Sequence, residues 1–150
     1  GENRYTYASF GSDKVHSLLD VLKSLADFVL IDCTSSCDNP ITETALTEAD
    51  QVIRLVTPDL KSMSFYASQL PLYANAKYRT ECHITGMVIT EDQVYPAAEE
   101  IRHSFGTVSF TMPFSRGIRK QMLEGALTER LLDKPYMNKM NAIAERLVNE

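Results

Sequence analysis

Short β-rich runs and helix-period segments alternate along this chain, and that alternation leaves few architectures open. The β-rich runs are residues 28–33 ("FVLIDC"), 51–57 ("QVIRLVT"), 84–90 ("ITGMVIT") and 107–112 ("TVSFTM"), with residues 5–10 as a candidate fifth. The first and third are apolar almost throughout, as strands covered on both faces are. Between them the apolar residues recur at spacings of three and four. Val15, Leu18, Leu19, Leu22 and Leu25 form one stripe after Ser12 or Asp13 as a cap. Leu60, Met63, Ala67 and Leu70 form another, with Pro58 as first helical residue and Thr57 as cap. Pro96 opens a third, with Ala98, Ile101 and Phe105 inward and Gly106 as its stop. Ser115 caps a fourth that carries Ile118 and Met122 and closes at Gly125. A last helix begins near Tyr136 and aligns Met137, Met140, Ile143, Ala144 and Leu147. Asn39-Pro40 announces a shorter one. Strand–helix alternation of this kind predicts an α/β fold, a mainly parallel sheet with helices on both faces, over residues 1–150 as a single domain.

Composition narrows the function classes. The 150 residues are enough to bury a core, and 44% hydrophobic with 23% charged residues is ordinary for a globular domain. No apolar run approaches the roughly 20 residues of a membrane span, and the start lacks a basic-then-apolar signal pattern. A formal net charge of −5 speaks against general nucleic-acid binding. Three cysteines do not make a disulfide framework, so a reducing, cytoplasmic compartment is expected.

In an open α/β sheet, ligands sit at the carboxyl ends of the strands. Those ends are "VLIDCTSS", "IRLVTPDLKS", "GMVITED" and "SFTMPFSRGIRKQMLEG". The first places Asp32 at the end of an apolar run, where an acid can hold a metal-bound water, accept a phosphoryl group, or simply cap a turn or the helix after Pro40. Taken in order, the segments resemble the second half of the MinD/ParA family of deviant-Walker P-loop ATPases, from about Asp27 to Gly125. "EADQVIRLVTPDLKS" matches the family's phrase after its Walker B helix. "FTMPFSRGIRKQMLEG" matches its strand ending in Pro and the helix that closes with Gly.

The resemblance implies a P-loop NTPase-like fold. It makes Asp32 the Walker B acid, orienting Mg²⁺ through coordinated water beside the β- and γ-phosphates of ATP. Residues 33–39 become the loop that senses γ-phosphate. Pro113 and Phe114 lie near the base, and Thr90, with Glu91, stands where the family carries a base-reading Asn. It also implies an ATP-sandwiched homodimer whose partners are localisation or assembly proteins, of partition, division, or pilus and secretion machinery. The loop "CTSSCD" and Gln121 depart from the family pattern.

No Walker A motif accompanies these pieces. A phosphate loop needs a glycine-rich turn with a Lys and a Ser/Thr, whereas Gly1, Gly11, Gly86, Gly106, Gly117 and Gly125 are scattered. The expectation is therefore a C-terminal portion of a longer ATPase, with no bound cofactor of its own. The strand carrying Asp32 would then lack its central neighbour. Re-pairing, a strand swap with a second copy, or a missing half would each close that gap.

The other constellations are weaker. Cys33, Cys37, Cys82 and His83 have the residue types of a zinc site at awkward spacing. His16 and His103 have no nucleophile beside them. Arg116, Arg119 and Lys120 read as a solvated helix face or as an anion or DNA contact, the latter opposed by the acidic overall balance. Arg54 interrupts its strand, either as an edge residue reaching water or as a charge facing a partner subunit or a phosphate. A receiver-like module, with Asp32 as phosphoacceptor and Thr57 as the hydroxyl, is the alternative from another class. Against it, residues 84–90 end in Thr where a receiver has Lys, and no second acid is placed to share Mg²⁺.

Overall fold

The structure, a computed structural model, describes residues 11–35, 37–91 and 98–149. The expected strand at residues 5–10 and the opening at Pro96 lie outside these. The chain forms two compact units: Gly1–Asp50 with Ala76–Arg79, and Gln51–Asn75 with Thr80–Glu150.

The first unit pairs α1 (Ser12–Leu25) with α2 (Pro40–Glu48). Pro40 stands in the first turn of α2, and the Asn39 side chain accepts the Ile41 N–H at 2.9 Å, the arrangement that Asn-Pro foretells. On α1 no side chain caps the start, and only Val15 and Leu19 of the predicted stripe are buried. Leu18 and Leu25 remain 51% and 76% exposed. Ala45 and Leu46 supply the buried apolar side of α2. His16 contacts Glu48 at 2.5 Å, and its imidazole is held above its ordinary range, first by the Ser12 carbonyl and then by the Glu48 charge. Lys77 bridges to Glu43 at 2.9 Å and lies over the Tyr78 ring.

Residues 28–33 are not a strand, contrary to their apolar pattern. A strand is defined by a ladder, and this run finds no ladder partner among the described residues. One side of the run is correspondingly bare, with Phe28 71% and Leu30 93% exposed, while Val29 and Ile31 are half-buried.

The second unit is a parallel three-stranded sheet in the order β1 (Val52–Val56), β2 (His83–Val88), β3 (Phe110–Met112). Val52 pairs with His83 and Val56 with Met87, while Gly86 pairs with Phe110. α3 (Leu60–Tyr73) carries the chain from β1 towards β2. α4 (Ala98–Arg102) and a 3-10 turn (His103–Phe105) precede β3. α5 (Arg116–Glu124) and α6 (Lys134–Asn149) follow it. Strand side chains alternate between faces. Val56 and Met87 meet Ile101, Phe105 and Val108 in the core, with Met63 and Tyr66 of α3 packed against them. On the other face Ile84 and Phe110 meet Ile143 and Leu147 of α6 around a small cleft of about 150 Å³. Helices thus cover both faces, and the α/β class holds for this unit.

The caps explain where the helices start and stop. Ser115 accepts the Ile118 N–H at 3.2 Å, and Gly125 takes the left-handed conformation that closes α5. α3 differs from expectation: Thr57 and Pro58 precede the helix, and Asp59 is the cap, accepting the Ser62 N–H at 2.8 Å. The Thr57 hydroxyl donates to Asp59, and Ser62 Oγ accepts the Thr57 N–H at 3.0 Å. The carboxylate takes the two donors on separate oxygens, Thr57 on Oδ2 and Ser62 on Oδ1.

Candidate functional site

The carboxyl edge of the sheet gathers three of the four sequence-predicted stretches. β1 ends into Thr57 and the Asp59 cap, β2 into Thr90 and Glu91, and β3 into Pro113, Phe114 and the Ser115 cap. Ile89 donates to the Met112 carbonyl at 3.0 Å, so the β2 and β3 exits leave the sheet side by side. Arg119 of α5 then ties Glu91 to the far side of that edge at 2.7 Å. Thr90 is exposed, while Pro113 and Phe114 are half-buried. Thr90, Pro113 and Phe114 therefore share one edge of one sheet, where a ligand of an open α/β fold belongs.

Asp32 belongs to the other unit, exposed at the end of the unpaired run. In the loop after it, the Thr34 and Thr42 hydroxyls meet at 3.2 Å. Partial loss of water and the neighbouring carboxylates push the Cys33 and Cys37 thiols up, so neither is a thiolate nucleophile at neutral pH. Among the described residues no three His, Cys, Asp or Glu side chains gather to hold a metal. One exposed carboxylate does not fix Mg²⁺ by itself. The ion needs phosphate oxygens as well, and those need a loop this sequence lacks.

The basic cluster on α5 is exposed and ion-paired. Arg119 engages Glu91, and Lys120 stands 3.9 Å from Glu124. Surface pairs of this kind contribute about 0–1 kcal/mol and mark no site by themselves.

Sequence reasoning passed over a group that the fold assembles around Arg54. The residue does lie on an edge strand of the sheet, as one reading expected, yet its guanidinium turns inward over the sheet. It lies 5.0 Å from the Tyr66 ring centre and 5.2 Å from that of Tyr73. Nη2 donates to Tyr66 Oη at 3.2 Å and reaches Thr85 Oγ1 at 3.5 Å. Nε is buried without an acceptor. Tyr73 in turn meets the His83 ring edge-on at 5.5 Å. The signal was present: Tyr66 and Tyr73 are seven apart, two turns along one helix face, behind a strand with a charge at its centre.

The chain matches no protein-family model, and neither curated proteins nor solved structures gave a match.

Proposed function

We propose that this chain is the half of a MinD/ParA-type, deviant-Walker ATPase fold that follows the phosphate loop. The parent is a cytoplasmic homodimer that positions other machinery, in partition, division, or pilus and secretion assembly. The observation that carries this reading is the order of the strand exits. β1, β2 and β3 lie consecutively and in parallel, and they deliver Thr57-Pro58, Thr90-Glu91 and Pro113-Phe114 to one edge in the sequence order that the resemblance implies.

In the parent, ATP and Mg²⁺ supply the phosphoryl chemistry and its charge neutralisation. Asp32 is the group that orients the metal's water shell, and Thr90, Pro113 and Phe114 border the base. The loop of residues 33–39 is the segment that answers to γ-phosphate. By itself this chain carries no Walker A motif to wrap phosphate with backbone N–H groups, so it binds ATP weakly or not at all.

A fluorescent ATP analogue, titrated with Mg²⁺, tests this directly. The chain alone, the chain extended upstream through a phosphate loop, and that extended chain carrying Asp32→Ala are compared. Binding confined to the extended form and lost with Asp32→Ala is the expected result. Equal binding by the extended form with and without Asp32 removes the Walker B role, and no binding by any form removes the ATPase reading.

A further inference from the structure

We propose that Arg54 and Tyr66 form a binding site for a small oxyanion, a phosphate or a carboxylate, between α3 and the β1–β2 pair. The site is separate from the carboxyl edge described above. α3 begins at that edge with Asp59 and runs back along the sheet, so Tyr73 at its far end meets His83 at the start of β2. Arg54 lies on the same face of the sheet as its register partner Thr85, which is buried, and the guanidinium lies over the tyrosines.

The physical reason is an incomplete charge balance. A guanidinium does not give up its proton in a protein, so a half-buried Arg calls for a negative partner. Arg54 has none among the described residues: its neighbours are two aromatic rings and two neutral hydroxyls. The rings attract the cation without neutralising it. Of the donors, Nη2 is engaged and Nε is sealed from water. Nη1 is neither bonded nor among the buried atoms, so it is the open arm of the fork.

Tyr66 completes the geometry. Its oxygen accepts from Nη2, which leaves its own O–H proton to donate. An oxyanion at this open arm therefore meets Nη1 and the Tyr66 hydroxyl together. The donors are already partly desolvated, which strengthens charge-assisted hydrogen bonds. The two N–H groups of Nη1 suit an oxygen of a carboxylate or phosphate, and the flanking rings limit the ligand to a small group.

Isothermal titration of the whole chain with inorganic phosphate and with acetate, against sodium chloride at matched ionic strength, tests the proposal. Saturable one-to-one binding of either anion, absent with chloride, is expected, and the tighter of the two identifies the chemistry. Tyr66→Phe keeps the ring and removes only the hydroxyl, so it should weaken binding about tenfold with an unchanged circular dichroism spectrum. Arg54→Lys keeps the charge without the fork and should weaken it about as much, and Arg54→Gln should abolish it. Asp32→Ala should leave it unchanged, which separates this site from the nucleotide reading. No saturable binding to the folded wild-type chain overturns the proposal. So does Tyr66→Phe binding as the wild type does, or loss of binding with Asp32→Ala.

Discussion

Gly86 shows how one residue fixes the packing of the sheet. A Cβ at this position would lie 2.2 Å from Phe110 Cζ, with two further ring atoms inside 3.0 Å. Gly86 is buried in the middle of β2, and Phe110 lies across it in register. Gly86→Ala therefore forces the ring aside, at a cost of about 1–3 kcal/mol by the usual measure of overpacking. Urea unfolding monitored by circular dichroism should show that loss, and Gly86→Ala with Phe110→Leu should recover part of it. An unchanged midpoint for the single variant would mean that the ring swings freely towards the α6 cleft. None of this was legible in the sequence, where Gly86 is one small residue inside "ITGMVIT". The pairing partner that makes it necessary comes from a strand 24 positions away. Asp32 was legible as a candidate because its neighbours are apolar. Arg54 was legible only as an anomaly, since its aromatic cradle comes from the next helix.

At the scale of elements, local chemistry reads well and pairing reads poorly. Asn39-Pro40, Ser115 and Gly125 announce their helix ends because a cap needs only residues within one turn. The start of α3 was misplaced because Thr57 is drawn into the Asp59 cap instead of capping the helix itself. Asp59→Ala should cost about 0.5–2 kcal/mol, the usual penalty for a lost N-cap. The same carboxylate carries a pH signature. The Thr57 hydroxyl, followed by the Ser62 amide, holds Asp59 below its ordinary value of 3.8. A lowered folded value means that the stabilisation is present above the unfolded value and is lost as pH falls through the folded one. Stability should thus decline below about pH 4, and Asp59→Asn should flatten that decline in acid-unfolding curves. A decline as steep in the variant would assign it to other carboxylates. Residues 28–33 fail as a strand for the opposite reason: a β-rich run predicts a strand only if another strand lies beside it.

Across the whole chain, the recurring observation is apolar surface without a covering partner. Phe28 and Leu30 are bare in the first unit, and Leu55 of β1 is 64% exposed in the second. Under the proposed function, a phosphate-loop strand would be the neighbour that the Asp32 run pairs with. The α/β class was legible because the two periods alternate, and the parallel order followed from the helical crossovers. The organisation into two units was not, because no linker in the sequence marks it. The most direct measurement is amide hydrogen exchange at residues 28–33. It compares this chain with the form extended upstream through a phosphate loop. Fast exchange in the chain alone and at least about a hundredfold protection in the extended form, as expected when a ladder closes over these amides, is the predicted result. Equally fast exchange in both would contradict it, and the Asp32 run would then be a surface loop and no strand of an ATPase.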